Sequence, residues 1–594
     1  MSPNTALRTA WAEDLDPEQP LPEYPRPQLR RKRWQNLNGR WEFAIRDGDA
    51  PQPTSFETRI VVPFAVESAL GGVARAVQPE ERVWYRREFR APELAEDEQL
   101  LLHFGAVDWE AEVWLNGRRL GSHCGGYDPF HFDLSDALAP GEVQELVVGV
   151  RDPTNRGPQP IGKQTLEPGG ICYTAVTGIW QTVWLEPVPR TRVESLRAET
   201  LLAQAEVSIR ARISGSLPGD QLRLRVCVAG KTIAEQTAAV TGEHLRLELA
   251  IPSLRPWSPD DPFLYDLEAE ILRDRVPVDR VESYFGAREI STGRDRAGIW
   301  RLFLNGEPLF QLGLLDQGWW PDGLYTAPTD AALAFDIEAT RRMGFNLIRK
   351  HVKVEPARWY WHADRLGVLV WQDMPSIAFE LGRFIEQLQQ GRQPEEMEFS
   401  LQVTPESEAI YRHELDAMLD ALAPFPSIVA WVPFNEAWGQ FDTDAILSHV
   451  AARDPERLVD GPSGWKDTGT GAIRDCHMYR REEQLPPLES DRPLVYGEFG
   501  GFKLGVDGHL AVADGWGYGS AKSSESFEAK YTELLGCIEA LVARGLSGAI
   551  YTQTTDVESE LNGLLTYDRA VFKIDPGRLA ALHRRIIEKL GTRA

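Results

Sequence analysis

From about residue 291 onward, short apolar runs and helical patterns alternate, and this alternation restricts the fold more than any other property of the sequence. The runs are Leu309 to Leu314, Phe345 to Ile348, Val368 to Trp371, Ile428 to Val432, Arg457 to Val459, Ala472 to Asp475, Pro493 to Tyr496 and Gly548 to Thr552. Helical patterns lie between several of them, at Ala331 to Met343, Pro356 to Leu366, Glu406 to Leu422 and Phe527 to Val542. Eight strand candidates with interposed helices over about 300 residues predict a (β/α)8 barrel of the TIM type. The stretch between the fifth and sixth runs is too short for a full helix. In such a barrel the chemistry gathers at the C-terminal ends of the strands.

The preceding residues follow a different grammar. Between 1 and 190 the chain reads as short strands with turn punctuation: Trp41 to Ile45, Val83 to Phe89, Gln144 to Val150 and Ile179 to Leu185. Asn116-Gly117, flanked by Glu112 to Leu115 and Arg118 to Leu120, is a strong hairpin signal. A jelly-roll β-sandwich fits this segment. From 191 to 290 the alternation of Leu222, Leu224 and Val226 with Gln221, Arg223 and Arg225 predicts a second, immunoglobulin-like β-sandwich. The expected architecture is therefore three domains, 1–190, 191–290 and 291–594, within a chain of 594 residues.

Composition removes several function classes. Sixty-four Lys+Arg against 89 Asp+Glu give a net charge of −25, which repels phosphate backbones and anionic membranes, so neither nucleic acid nor membrane is an expected partner. Five cysteines, with no C-x-x-C pair, argue against a disulfide framework or structural zinc. No signal-peptide pattern and no apolar run long enough to span a bilayer is visible, so the expectation is a cytoplasmic protein. No P-loop or dinucleotide fingerprint is present, so no cofactor and no metal are implied.

The polar residues at the predicted strand ends converge on one chemistry. They are Arg349 and His351 after the second strand, Asp373 after the third, Asn435 and Glu436 after the fourth, His477 and Tyr479 at the sixth, and Glu498 at the seventh. Two glutamates on different strands of one barrel mouth suit two-carboxylate glycoside hydrolysis. Glu436, set among Trp431, Phe434 and Trp438, is placed to have its pKa raised and to serve as the acid. Glu498 is placed to stay ionised, with Arg349 and Tyr479 as supports. The residues alone equally allow each glutamate to close a salt bridge at a strand end.

Four motifs in order resemble glycoside hydrolase family 2, which includes β-galactosidases, β-glucuronidases and β-mannosidases. Thr177 to Glu186 is similar to the signature of the family's sugar-binding domain, and Gly125-Gly126-Tyr127-Asp128-Pro129-Phe130 to another motif of that domain. Phe434-Asn435-Glu436-Ala437-Trp438-Gly439 resembles the acid/base motif and Tyr496-Gly497-Glu498-Phe499-Gly500 the nucleophile motif. The resemblance implies Glu436 as acid/base, Glu498 as nucleophile, and retention through a covalent glycosyl-enzyme with the carboxyls about 5 Å apart. It implies that Asn435 donates to the sugar 2-hydroxyl, that Tyr479 hydrogen-bonds the nucleophile, and that Arg349 supports it. Asp373, His351 and Asp152 are further candidates for hydroxyl recognition. The resemblance also allows a homo-oligomer. A transglycosylase shares the same intermediate, and a non-catalytic carbohydrate-binding protein of the same architecture is the alternative from another class.

Departures from better-known members bear on the sugar. β-Glucuronidases carry an Asn-x-Lys motif after strand eight, where this chain has Asn562-Gly563-Leu564. The Arg-His-Glu stretch of β-galactosidases is here Leu314-Leu315-Asp316, so their magnesium site does not carry over. A neutral β-glycoside, β-galactoside first, is the expected substrate, with mannoside, glucuronide and arabinopyranoside specificities as alternatives. Of the 19 tryptophans, eight precede residue 191, one lies in 191–290 and ten follow, which marks the middle domain as a spacer. Trp319, Trp320, Trp371, Trp431, Trp438 and Trp516 fall near expected mouth positions where rings stack on a pyranose. Asp514 to Ser520, rich in glycine and aromatic residues, is expected to form a wall or lid of the site. Removing the Trp516 ring should raise KM for an aryl glycoside; an unchanged KM counts against that role.

Overall fold

The computed structural model describes residues 7–377, 403–479 and 491–591. In the first sandwich, a six-stranded sheet runs in the order Thr58–Val62, Gly39–Asp47, Glu81–Arg90, Val143–Arg151, Glu110–Leu115 and Arg118–Cys124. The sheet facing it is built from Gln35–Asn36, Val183–Pro189, Glu98–Phe104 and Phe130–Asp133. Alternating residues of both sheets, among them Phe43, Tyr85, Leu102, Val113, Val148 and Leu185, meet in one buried core. The Asn116-Gly117 hairpin forms as its sequence indicates, joining Glu110–Leu115 to Arg118–Cys124.

The middle domain packs a three-stranded sheet (Arg192–Leu201, Glu206–Ser214, His244–Ala250) on a four-stranded one. The latter runs Lys231–Ala239, Gln221–Val228, Tyr265–Arg273, Val276–Phe285. Leu222, Leu224 and Val226 face inward with Ile209, Leu247 and Val281, as the period-two pattern requires.

The C-terminal part contains eight parallel strands. They are β1 (Gln311–Asp316), β2 (Leu347–Lys350), β3 (Leu369–Asp373), β4 (Ile428–Val432), β5 (Leu458–Val459), β6 (Arg474–Met478), β7 (Leu494–Phe499) and β8 (Leu546–Tyr551). Their order in the sheet is β5-β4-β3-β2-β1-β8-β7-β6. A parallel bridge between Asp460 and Ile473 brings β5 to β6, so the sheet closes into a barrel. The helices are α1 (Asp330–Arg342), α2 (Ala357–Leu366), α3 (Pro405–Leu422), α4 (Thr443–Arg453), α5 (Ser524–Arg544) and α6 (Pro576–Gly591). No helix lies between β5 and β6, as the spacing of the apolar runs indicates. Local chemistry starts the helices: Thr404 and Ser523 form capping boxes on α3 and α5, and Thr329 accepts from the Ala332 N–H at the head of α1.

The pleat sorts each barrel strand into an inner and an outer set. On β2, Leu347 joins the inner cluster with Leu369 and Trp371, while Ile348 packs outward against the helices. Two residues beyond Leu347, the same face carries Arg349 into the mouth. A hairpin, Ile290–Arg294 with Trp300–Leu304, supplies Leu302 and Leu304 to the floor of the inner cluster. Trp371 and Trp431 belong to the core rather than to a sugar platform. They are fully buried, with Trp371 Nε1 donating to Gln311 Oε1 at 2.7 Å and Trp431 Nε1 to Asp454 Oδ2 at 3.0 Å. Trp319 and Trp320 are buried too, Trp319 against Tyr173 and Tyr325, and Trp320 beneath the Arg569 guanidinium.

The middle sandwich is fastened to the barrel through Arg288. Its guanidinium donates to the carbonyls of Pro426 (3.0 Å), Ile428 (2.8 Å) and Glu456 (2.7 Å), at the entry to β4 and β5. Arg288→Ala withdraws the partner of two of these buried carbonyls, since Ile428 also accepts from Arg457. A loss of roughly 3 kcal/mol is expected in the denaturant-unfolding free energy, with Arg288→Lys recovering only part.

Candidate active site

Four barrel strands and the turn after β4 deliver the mouth residues. Asn435 and Glu436 follow β4 directly, and Glu436 and Ala437 both adopt left-handed backbone, with φ of 50° and 61°. Side-chain-bearing residues pay for that conformation only where neighbours fix it. Here the Glu436 N–H donates to the Ser463 carbonyl at 2.8 Å, and the Trp438 N–H to the Asn435 carbonyl at 2.8 Å. On β7 the register shifts between Tyr496 and Phe499, and on β6 between Cys476 and His477. Such irregularities re-aim a side chain, and here they fall at Glu498 and His477. Gly497 permits the close approach of the two strands, since a Cβ there would sit 1.9 Å from an Asp475 carboxylate oxygen.

Glu436, His477 and Glu498 each offer one atom within 4.8 Å of the other two. His477 Nδ1 is 2.7 Å from Glu436 Oε1 and 3.6 Å from Glu498 Oε2. The other ring nitrogen meets Ser463 Oγ at 2.8 Å, and that hydroxyl donates to Asp475 Oδ2 at 2.6 Å. Tyr479 donates its hydroxyl proton to Glu498 Oε2 and lies 2.9 Å from Thr552 Oγ1. Tyr518 stacks on the Tyr479 ring with centroids 3.6 Å apart.

Arg349 joins the elements. It contacts Asp373 through Nε (3.0 and 3.1 Å) and Nη2 (2.9 Å), Asn435 Oδ1 at 2.9 Å and the Gly497 carbonyl at 3.2 Å. Its Nη1 stands 3.6 Å from Glu498 Oε1. His351 Nδ1 pairs with Asp373 Oδ2 at 2.8 Å. Asn435 Nδ2 and Glu498 Oε1 are among the buried polar atoms without a hydrogen-bond partner among the described residues.

The two carboxyls titrate in opposite directions. Burial and the charge of Glu498 raise Glu436, against a lowering by the His477 hydrogen bond. Burial also pushes Glu498 up, but the positive neighbours His477, Arg349 and Lys163 outweigh it and hold this carboxyl below the usual range. Burial lowers His477, and the charges of Glu498 and Glu436 overcome it, so its pKa stands above the ordinary histidine value. The two pKa values are thereby pushed apart, which is the direction a pair working as acid and ionised carboxylate requires.

The remaining candidates separate. Trp438 is buried beside the mouth, with the Lys163 ammonium 5.7 Å from its ring. Trp516 donates Nε1 to the Gly170 carbonyl of the first sandwich at 2.9 Å and meets Tyr518 edge to face, so its loop is tied across the domain boundary. Asp152 lies inside the first sandwich. Its carboxylate accepts from the Thr154 N–H (2.7 Å) and the Thr177 hydroxyl (3.0 Å), closing a turn rather than reaching the barrel glutamates. Sequence reasoning passed over His477 as a partner of both glutamates, although Cys476-His477-Met478-Tyr479 alternates so that His477 and Tyr479 share a face. It also missed Lys163 and Ser463, which carry no local signal. Among the described residues, Glu436, His477 and Glu498 are the one group with metal-ligand spacing, and the hydrogen bond between His477 and Glu436 engages two of the same atoms. No described helix is long and apolar enough to cross a membrane.

Family models match along the chain. Residues 70–172 match "Glycosyl hydrolase 2 galactose-binding domain-like", 191–288 "Glycosyl hydrolases family 2", and 327–500 "Glycosyl hydrolases family 2, TIM barrel domain". A β-galactosidase of Thermoanaerobacter pseudethanolicus is 24% identical over 49% of the chain and 39% of that protein. A β-glucuronidase of Streptococcus agalactiae is 22% identical over 68% of the chain and 66% of that protein. The chain spans 27% to 39% of the length of the first curated relatives it matches. In fold it is similar to Bifidobacterium dentium β-glucuronidase, with TM-score 0.71, 19% identity, and coverage of 93% of this chain and 97% of that one. It is likewise similar to a β-galacturonidase from Eisenbergiella tayi, with TM-score 0.70, 19% identity, and coverage of 95% and 99%.

Tyr479→Phe removes a hydrogen-bond donor from the Glu498 carboxylate. The acidic limb of the kcat/KM profile should therefore move to higher pH, because without the hydroxyl Glu498 protonates more readily. A limb that stays in place, or moves down, contradicts this reading of the contact.

Proposed function

The chain belongs to glycoside hydrolase family 2, and from that premise we propose that it is a retaining, exo-acting β-glycosidase in which Glu436 is the acid/base and Glu498 the nucleophile. The observation that carries this reading is the approach of the two carboxylates, one oxygen of each within 4.8 Å of the other. That spacing suits a pair flanking an anomeric carbon and leaves no room for the water that inversion places between them.

The atoms suggest a division of roles. Tyr479 engages Glu498 Oε2, and Oε1 has no hydrogen bond, so Oε1 is the oxygen available to attack the anomeric carbon. As that bond forms, the bond to the leaving oxygen breaks and Glu436 transfers its proton to it. His477 occupies Glu436 Oε1, which leaves Oε2 to carry the proton. Glu436, now ionised, then takes a proton from water, whose oxygen displaces Glu498 and frees the sugar with its original configuration. Asn435 Oδ1 is held by Arg349, which turns the unpartnered Nδ2 outward as a donor for the sugar 2-hydroxyl. Such a contact strengthens as the ring flattens toward the oxocarbenium ion.

Aryl β-glycosides should be hydrolysed and their α-anomers spared, with the β-anomer appearing first by NMR. Glu498→Ala should lose activity by a factor of roughly 10^4 or more. Full activity in that variant, first release of the α-anomer, or a wild type inert toward every aryl glycoside sinks the proposal; the last result favours a carbohydrate-binding role.

A further inference from the structure

Two segments of the first sandwich lean over the barrel mouth. In the first, the N–H groups of Ile161 and Gly162 donate to the Ser376 carbonyl just beyond β3, at 2.8 and 3.1 Å, and Pro160 bridges to Ile377. Gly162 fits only without a side chain: its φ is +61°, and a Cβ would meet the Val352 carbonyl oxygen at 2.4 Å. In the second, Tyr173 donates its hydroxyl to Glu560 and the Thr174 N–H donates to Glu558 at 3.0 Å, both in the loop after β8. The segments are tied to each other where the Tyr173 N–H donates to the Lys163 carbonyl at 2.8 Å.

Lys163 is thereby fixed between the two anchorages. The residue is 5% exposed, and among the described residues its ammonium has neither a hydrogen bond nor a carboxylate within ion-pair distance. It stands 5.7 Å from the Trp438 ring and 5.8 Å from the Tyr173 ring, and its charge acts on Glu436, Glu498, His351 and Glu560. The other strong cation of the mouth, Arg349, is consumed by Asp373, Asn435, Gly497 and Glu498. The Lys163 stem is packed beside the two rings, while its ammonium is not among the fully buried unpaired atoms. A flexible, strongly hydrated cation is thus held at the mouth with a hydrogen-bonding capacity that no described protein acceptor takes up.

We propose that Lys163 is a specificity-determining residue of the glycosidase site, its ammonium binding an anionic substituent on the pyranose held between Glu436 and Glu498. The inference rests on the glycosidase reading and deepens it. The required ligand chemistry is a fixed negative charge on the sugar, either the carboxylate of a uronoside or a sulfate ester. The expectation of a neutral sugar rested on the missing lysine after β8 and on the net charge of −25; Lys163 arrives from the opposite domain, far away in sequence.

The test compares aryl β-glucuronide, β-galacturonide, 6-sulfo-β-galactoside, β-galactoside and β-glucoside in wild type, Lys163→Gln and Lys163→Arg. An acidic member should be the best substrate, and the carboxylate and sulfate arms identify which anion is read. Lys163→Gln should raise KM for that substrate roughly 30-fold, the loss of one charge-assisted hydrogen bond, with kcat changed much less. Lys163→Arg should retain most of the affinity. Loss of the charge beside the two glutamates should act on kcat alike for neutral and acidic members, so the rise in KM stays specific to the acidic one. Far-UV circular dichroism and Tm report that the variants are folded. A neutral glycoside as best substrate overturns the inference alone, as does an acidic KM that Lys163→Gln leaves unchanged or shifts in step with the neutral ones. Hydrolysis of no member removes the glycosidase reading and this inference with it.

Discussion

The mouth of the barrel is organised around the Arg349 guanidinium, which is fully buried. A planar fork of five donors can satisfy several acceptors at fixed angles, and here it reaches Asp373 on β3, Asn435 after β4 and the Gly497 carbonyl on β7, with Glu498 Oε1 in ion-pair range. The positions of three strand ends are thus referred to one rigid group. A lone buried cation is expensive, but this one is surrounded by acceptors, and the desolvation it suffers is offset by their charges. The same network lowers the pKa of Glu498 and holds Asn435 by its Oδ1, leaving its Nδ2 unpaired. Position and orientation thus depend on one side chain, while the lowered pKa of Glu498 is shared with His477 and Lys163.

A second chain of contacts stands behind the acid/base. Glu436, His477, Ser463 and Asp475 are linked in series, and Asp475 also accepts from the Gly497 N–H at 2.5 Å, next to the nucleophile. The two carboxyls are therefore coupled twice, directly through their charges and indirectly through backbone and hydroxyl. In the proposed mechanism, a negative charge appearing on Glu436 meets the His477 ring already in hydrogen-bond contact, so the site need not rearrange to receive it.

Much of this was legible from local pattern. The eight barrel strands, the helices between them and the Asn116-Gly117 hairpin follow from period and turn chemistry, because those signals act over a few residues. Asn435, Glu436 and Glu498 could be located because strand ends in a barrel share one rim. What local pattern could not reach is set by pleat phase and by domain docking. Trp371 and Trp431 lie on strands that end at the mouth, yet their depth within the strand puts them in the core. Asp152 sits at the end of a sandwich strand, and only its partners Thr154 and Thr177 reveal that it closes a turn. Lys163 and Ser463 gain their meaning from residues far away in sequence, so no window of sequence contains their signal.

The docking of Pro160 to Gln164 on the strand-three exit has a consequence for the order in which the molecule is completed. The N–H groups of Ile161 and Gly162 have their acceptor on the barrel, at Ser376. Within the sandwich the segment is held on one side only, by Gln164 to Asp108 and Val176 and by the Tyr173–Lys163 bond. Its outer face is completed when the third barrel strand is in place, and the Tyr173 and Thr174 side contacts wait longer still, for the loop that follows the last strand. A segment that precedes the barrel in sequence is in this way completed only by the barrel, and the first sandwich alone, however well folded its sheets, would carry an unfinished edge beside the barrel mouth.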